Sequence, residues 1–166
     1  NWCHYNSDDY EIVLGLNKIK ASFKNISSVY LDYNNEKVLM NQIVDLNPNF
    51  IVNAIGLTNV DECEKFTELS YTINSTIAQK IARISKSLGI QFTHISTDHL
   101  FKGDKKYVDE LELISPKNIY GKSKANGEYK VIQENPHSLI IRTNFFGWGN
   151  NTKLSITDWI ISNLIN

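Results

Sequence analysis

The stretch that decides the fold covers residues 73–96 and reads INSTIAQKIARISKSLGIQFTHIS. Its first part places isoleucine or leucine at positions 73, 77, 81, 84 and 88, which form one apolar stripe of a helix. Gly89 follows, where a residue with left-handed backbone commonly ends a helix. Gln91–Ser96 then has the length and composition of a strand. A helix from about Leu69 to Leu88 followed at once by a strand indicates an α/β protein.

The same alternation of strands and helices extends in both directions along the chain. Four further runs are predicted to be strands: Glu11–Leu16, Val29–Leu31, Phe50–Gly56 and Ser138–Thr143. Helical periodicity marks Glu36–Leu46, a segment that begins near Tyr120, and residues 154–165. The run at 50–56 is mostly apolar and ends in glycine, as expected of a buried parallel strand.

This order of elements predicts a single Rossmann-type domain over residues 1–166. Its architecture would be a doubly wound parallel sheet with right-handed crossovers, in the α/β class. Ligands of such sheets bind beyond the carboxyl ends of the strands, so we expect the candidate site residues at that edge.

Composition and charge argue against several classes of function. The chain carries 17 basic and 18 acidic side chains, a net charge of -1, so nucleic acid is not an expected partner. No apolar run is long enough to cross a bilayer, and no signal-peptide pattern opens the chain. Cys3 and Cys63 lie far apart without metal-ligand spacing. We therefore expect reduced thiols, no metal site and a cytoplasmic protein.

Three blocks of sequence carry a family resemblance, and each lies at a predicted strand end or helix start. They are Asn53–Glu64 (NAIGLTNVDECE), Ile95–Gly103 (ISTDHLFKG) and Tyr120–Glu128 (YGKSKANGE). Together and in this order they resemble the extended short-chain dehydrogenase/reductases, and more narrowly the dTDP-4-dehydrorhamnose reductase group. The resemblance covers most of the chain. It implies an enzyme that uses NADPH or NADH to reduce a keto group on a nucleotide-linked sugar.

The pair Tyr120 and Lys124 is the part of the resemblance with the plainest chemistry. The two residues are four positions apart, hence on one face of a helix. A tyrosine hydroxyl ordinarily ionises at a pH of about 10, and a neighbouring ammonium stabilises the phenolate. The resemblance implies that Tyr120 protonates the carbonyl oxygen while Lys124 tunes it and holds the nicotinamide ribose. Thr97 would hydrogen-bond the same oxygen.

Residues 98 and 99 separate the reactions within this family. The related sugar-nucleotide dehydratases carry Asp-Glu after the threonine, whereas this chain has Asp98-His99, so elimination of water is disfavoured. The reductases usually have tyrosine at the position of His99. The His99 ring either contacts substrate or packs with its nitrogens satisfied. The residues that the resemblance assigns to substrate are Thr97, Asp98, His99, Phe145 and Trp148.

The resemblance also implies a set of cofactor contacts. These are Asp32, Tyr33, Ala54, Ile55, Gly56, Leu57, Thr58, Ser96, Thr143 and Asn144, together with Tyr120 and Lys124. Small residues after the strand at 50–56 permit close approach of the backbone to a ligand. For Asp32 a helix N-cap or turn residue is an equally good interpretation.

One part of the family pattern is absent, the glycine-rich loop that binds pyrophosphate after the first strand. Gly15 is the only glycine before residue 56, and it lies inside a predicted strand. Either the first strand and its loop lie upstream of Asn1 in a longer chain, or the protein has lost the loop and binds dinucleotide poorly. The ragged ends favour the first account, with the substrate domain mostly beyond Asn166.

Three functions are consistent with these observations. The leading hypothesis is a 4-keto reductase acting on a nucleoside-diphosphate deoxysugar. An epimerase or epimerase-reductase on similar substrates shares the Tyr-x-x-x-Lys pair. A non-catalytic, dinucleotide-binding regulatory subunit is the third, and the joint presence of Thr97, Tyr120 and Lys124 argues against it. Relatives often pair, so a homodimer is a further expectation.

Overall fold

The computed structural model of the chain describes residue 3 and residues 6–17, 26–144 and 156–165. Its strands are β1 Val13–Leu16, β2 Ser27–Tyr30, β3 Phe50–Asn53, β4 Gln91–Ser96 and β5 Leu139–Arg142. Its helices are α1 Glu36–Leu46, α2 Val60–Lys65, α3 Thr67–Tyr71, α4 Ile77–Leu88, α5 Ile119–Glu134 and α6 Ile156–Ile165. A π-helical turn covers Thr72–Thr76, and a 3₁₀ turn covers Asp98–Leu100.

Every strand pair in the described part of the chain is parallel. β1 pairs with β2, and β4 lies between β3 and β5, with Asn53 opposite His94 and Ser96 opposite Arg142. In the 3-2-1-4-5-6 order of a Rossmann sheet, β1 and β2 take the second and third positions and β3 to β5 the fourth to sixth. The predicted α/β fold with a parallel sheet and flanking helices is confirmed.

Helix α4 ends where the sequence predicts. Gly89 adopts a φ of 68°, and its N–H bonds to the carbonyl oxygens of Lys86 and Ser85. The start is different, because the segment predicted as one helix from Leu69 contains α3 and the π-helical turn before α4 begins at Ile77. Helix α2 was not predicted, since six residues are too few to show a helical period.

The core lies on one face of the β3–β4–β5 sheet. Phe92 of β4 packs with Ile81 of α4 in a cluster that also contains residues of α1 and α5. On the other face Phe50, Val52 and Leu139 are 63%, 58% and 56% exposed. The prediction that β3 is buried on both faces is therefore wrong for the described residues, because the helices of this cluster cover one face only.

Strand β3 also ends three residues before the predicted Gly56. The Oδ1 of Asn53 accepts a hydrogen bond from the N–H of Ile55 at 3.1 Å, which turns the chain out of the ladder. The residues that follow, Ala54–Asn59, form an irregular segment called here the β3 loop. Across the described ranges, no helix is both long and apolar enough to cross a membrane.

Candidate active site

The candidate active site lies at the carboxyl end of β4, where Thr97 follows the strand. Thr97 is buried, and its Oγ1 accepts a hydrogen bond from the N–H of His99 at 3.2 Å. This bond caps the 3₁₀ turn, so a short hydroxyl side chain serves the local structure as well as any chemistry. Asp98 and His99 then leave the sheet edge with side chains that are 52% and 47% exposed.

The first turn of α5 lies against this end of β4. Asn118 caps the helix, with its Oδ1 accepting from the N–H of Gly121 at 2.8 Å. Tyr120 is thereby placed with its ring 5.8 Å from the His99 ring, in an edge-to-face contact at 82°. A Cβ on Gly121 would lie 3.1 Å from the His99 carbonyl oxygen, so glycine permits this approach. His99 is thus a half-exposed ring beside Tyr120 and not a fully packed one.

Lys124 lies one helical turn after Tyr120 and is buried. Its Nζ donates a 2.6 Å hydrogen bond to the carbonyl oxygen of Ile95, in the strand that Thr97 follows. Burial lowers the pKa of Lys124 to about 8, and the Glu128 carboxylate acts in the opposite direction. The structure therefore brings Thr97, Tyr120 and Lys124 to one strand end.

A buried ion pair lies one turn further along α5. Arg142, the last residue of β5, donates to Glu128 with an Nη2–Oε2 distance of 2.8 Å and an Nε–Oε1 distance of 3.0 Å. The guanidinium of Arg142 also lies 5.4 Å from the centroid of the Phe101 ring. Hydrogen bonding to Glu128 raises the pKa of Arg142, so the arginine remains charged at all ordinary pH values.

His94 is a second buried polar group, on the face of β4 that carries the core. Its Nδ1 lies 3.0 Å from Nδ2 of Asn53, whose Oδ1 already accepts from Ile55, so Nδ1 of His94 is the acceptor. Burial, and to a smaller extent the Lys124 ammonium, lower the pKa of His94 to about 3. Its Nε2 and the Oγ of Ser96 are buried and have no hydrogen-bond partner within the described residues.

The β3 loop is held from behind by Asn74, which sequence reasoning missed. The Oδ1 of Asn74 accepts from the N–H of Leu57 at 2.7 Å, while its Nδ2 donates to the Leu57 carbonyl at 3.0 Å and to Oγ of Ser123 at 2.9 Å. The π-helical turn places this fully buried amide between the loop and α5. The available signal was a polar residue between Ile73 and Ile77 of the apolar stripe.

The β3 loop is open at Ala54, Gly56 and Thr58, which are exposed, so its backbone is accessible to a ligand. Ile55 and Leu57 of the same loop are half-buried. Thr143 is half-buried and Asn144 exposed, directly after β5. Because β3, β4 and β5 are parallel, all of these residues follow strands that end at one edge of the sheet.

Asp32 and Tyr33 have clear structural roles. The Oδ1 of Asp32 accepts from the N–H of Asn34 at 3.0 Å, in the turn before α1, so the turn interpretation describes what its side chain does. Tyr33 is 5% exposed in the core cluster, and its hydroxyl donates to the Gly15 carbonyl at 3.2 Å. The predicted substrate contacts that lie outside the described residues are Phe145 and Trp148.

Comparison with known proteins places these features in a family. The family model for the RmlD substrate binding domain matches residues 10–155. The dTDP-4-dehydrorhamnose reductase of Aggregatibacter actinomycetemcomitans is 38% identical over 125 residues, which cover 73% of this chain and 42% of that protein. The chain thus spans less than half the length of this relative.

Solved structures give the same result. A hypothetical dTDP-4-dehydrorhamnose reductase from Sulfolobus tokodaii has a TM-score of 0.77 at 32% identity, covering 89% of this chain and 52% of that one. The dTDP-4-dehydrorhamnose reductase from Bacillus anthracis, solved in complex with NADP, has a TM-score of 0.68 at 32% identity. That match covers 76% of this chain and 48% of the other.

Proposed function

The chain belongs to the RmlD substrate binding domain family, and we propose that it forms the catalytic part of an NAD(P)H-dependent reductase. The proposed reaction is reduction of a 4-keto group on a nucleoside-diphosphate deoxysugar. One observation carries the proposal: the buried ammonium of Lys124 is held by the Ile95 carbonyl one turn after Tyr120, at the end of β4.

Lys124 gives Tyr120 the electrostatic surroundings that a proton donor needs. The two residues share a face of α5, and the ammonium is shielded from bulk water. A shielded charge acts strongly on its neighbours, so the phenolate that remains after proton transfer is stabilised. In the proposed reaction Tyr120 delivers its proton to the carbonyl oxygen of the substrate.

Thr97 is the proposed second donor to that carbonyl oxygen. Its Oγ1 accepts from the N–H of His99, which leaves the hydroxyl hydrogen to be placed. That hydrogen has only a long contact of 3.4 Å, to Oδ1 of Asp98. A ligand oxygen at the sheet edge therefore offers the Thr97 hydroxyl a better acceptor than the one it has within the described residues.

The residues at this sheet edge fit the nicotinamide end of a dinucleotide. An ammonium has three N–H donors, and the Ile95 carbonyl takes one, so Lys124 retains donors for ribose hydroxyls. The open backbone of the β3 loop and the side chain of Thr143 lie at the same edge. Bound nicotinamide supplies the hydride for the carbonyl carbon. NADPH is the proposed form, because the Bacillus anthracis relative was solved with NADP.

The residue after Asp98 supports reduction over dehydration. A dehydratase of this family needs a second carboxylate there, and this chain has His99, whose ring touches Tyr120 edge-on. The relatives reported above are named for reduction of dTDP-4-dehydrorhamnose. A dTDP-linked 4-keto sugar is therefore the proposed substrate of the whole protein.

The proposal is tested with the full-length protein, NADPH and a panel of 4-keto sugar nucleotides, by following nicotinamide absorbance. Oxidation of NADPH with at least one sugar, matched by formation of the corresponding alcohol, is the expected result. Exchange of sugar hydrogens with solvent without NADPH oxidation would indicate an epimerase instead. Binding of NADPH with no reaction of any sugar would indicate a regulatory subunit.

A further inference from the structure

Lys124 and Glu128 are placed to form an ion pair with each other, yet they do not. They are four residues apart on α5, the spacing at which a lysine and a glutamate usually attract. Both are buried, at 4% and 7% exposure, where such attraction is strong. Instead, Nζ of Lys124 binds the Ile95 carbonyl, and Glu128 binds a residue from a different strand.

The residue that takes Glu128 is Arg142. Three contacts of 2.8, 3.0 and 3.2 Å engage both carboxylate oxygens, which is the fork-like geometry that arginine provides and lysine does not. Arg142 is fixed independently by its place at the end of β5 and by the Phe101 ring beneath its guanidinium. Glu128 is therefore held towards β5 and away from Lys124.

We propose that Arg142 is a positioning residue for proton transfer: by binding Glu128 it keeps Lys124 from pairing within its own helix and leaves its ammonium available to Tyr120 and the cofactor ribose. The proposal rests on the proposed reductase function, because only that function gives the Lys124 ammonium a task. A merely structural ion pair between α5 and β5 is the alternative.

The charged and titratable groups around Lys124 make the expected effects definite. From β4 comes His94, which burial keeps neutral; from α5 come Tyr120 and Glu128. From β5 comes Arg142, on which Glu110 also acts. Asp98 and His99, beyond β4, are half exposed. Among the described groups, Glu128 is thus the buried anion that Lys124 would meet if Arg142 released it.

The two explanations differ in the sign of the change that each substitution causes. Removing either half of a structural pair destabilises the protein and has no reason to move Lys124 in opposite directions. If Arg142 restrains Glu128, then Arg142→Gln frees the carboxylate, which raises the pKa of Lys124 from about 8 to about 9 or higher. Glu128→Gln removes the carboxylate and lowers the same pKa.

The test is a pH titration of the full-length protein without substrate or cofactor, with isotope-labelled lysine and the ε-carbon NMR shift as readout. The Lys124 signal is assigned by its loss in Lys124→Met. We expect Arg142→Gln to titrate at higher pH than wild type and Glu128→Gln at lower pH. The double variant should return close to wild type, because both charges are then gone. Arg142→Lys, which retains the charge but not the fork, is the matched control and should remain near wild type.

A second measurement connects this to activity. With a substrate that the wild-type protein reduces, the alkaline limb of kcat/KM against pH should move upward in Arg142→Gln and return in the double variant. An unmoved Lys124 titration in Arg142→Gln, or a shift that persists in the double variant, would overturn the positioning role. If Arg142→Gln does not fold, a Glu128→Gln titration that is not lowered overturns it. A wild-type protein that reduces no sugar defeats the reductase proposal, while the NMR titration still decides whether Arg142 restrains Glu128.

Discussion

Asn74 satisfies both backbone polar groups of Leu57, accepting from its N–H at 2.7 Å and donating to its carbonyl at 3.0 Å. One buried side chain thus fixes the middle of the β3 loop, the segment that presents its backbone at the candidate site. The contact spans 17 residues of sequence and requires the π-helical turn at Thr72–Thr76. Gly127 of α5 completes the arrangement, since its Cα lies against the Asn74 backbone.

Replacing Asn74 is expected to loosen the β3 loop and weaken dinucleotide binding. Asn74→Ala leaves the Leu57 amide and carbonyl without their partner, which lowers the free energy of unfolding by about 2–3 kcal/mol. Urea unfolding and NADPH titration of the full-length variant measure the two effects. Asn49→Ala, at an exposed loop position, is the control and should change stability by no more than about 0.5 kcal/mol. Unchanged NADPH affinity in Asn74→Ala would show that the loop does not depend on this residue.

Gly127→Ala is expected to destabilise the protein although alanine favours helices. The new Cβ would lie 2.4 Å from the carbonyl oxygen of Asn74, a backbone atom that cannot move aside alone. The gain in helix propensity is about 1 kcal/mol, and overpacking against backbone costs about 1–3 kcal/mol. We expect a net loss in thermal stability, measured by calorimetry beside Lys122→Ala, an exposed site on the same helix. A raised melting temperature in Gly127→Ala would contradict the close packing described here.

Lys124→Met is expected to abolish turnover and yet stabilise the protein near neutral pH. The pKa of Lys124 is lowered by burial to about 8 from 10.5, so the unfolded chain binds more protons between these values and stability rises with pH across that window. Below it, the buried charge costs about 3 kcal/mol, from which about 1–2 kcal/mol is subtracted for the lost hydrogen bond to Ile95.

Urea unfolding at pH 7 and at pH 10 measures this difference. The gain of roughly 1 kcal/mol at neutral pH should shrink at the higher pH, where Lys124 is already neutral in the folded protein. Lys122→Met is the exposed control. A Lys124→Met variant that is less stable at both pH values would contradict the burial cost assigned to the ammonium.

His94 is expected to contribute to acid sensitivity. Its pKa falls from 6.5 to about 3 on folding, so the unfolded chain binds the extra proton between these values, and the stability is lost as the pH falls through this range. The loss amounts to about 1.4 kcal/mol for each pH unit. His94→Gln, which retains an acceptor for Asn53, should have a shallower decline than wild type between pH 6 and pH 4 by urea unfolding. Equal slopes would mean that the ring is not held neutral, and His137→Gln, at an exposed position, is the control.

The regular elements were predictable where the periodic signal is strong. The bounds of α1 and β4 and the end of α4 at Leu88 follow from apolar spacing and from glycine. The π-helical turn was not predictable, because it depends on the reach of Asn74 to a loop that is distant in sequence. The exposed face of β3 also escaped prediction, since an apolar run gives no information about how many layers cover it.

The candidate site was predictable in its chemistry and not in its electrostatics. The spacing of Tyr120 and Lys124 places both on one helix face whatever the surroundings. Sequence spacing equally favours a Lys124–Glu128 pair, and only the tertiary fold shows that Arg142 takes Glu128 instead. A turn aspartate and a ligand-binding aspartate read alike in sequence, so the role of Asp32 required the structure.

The most direct test of the catalytic assignment is a single-turnover measurement with full-length Tyr120→Phe, NADPH and a sugar that the wild-type protein reduces. Loss of the proton donor should slow reduction by about 100-fold or more, while NADPH affinity changes little. Tyr129→Phe, at an exposed site on the same helix, should react like wild type. A Tyr120→Phe protein that reduces the sugar at the wild-type rate would contradict the role assigned to Tyr120.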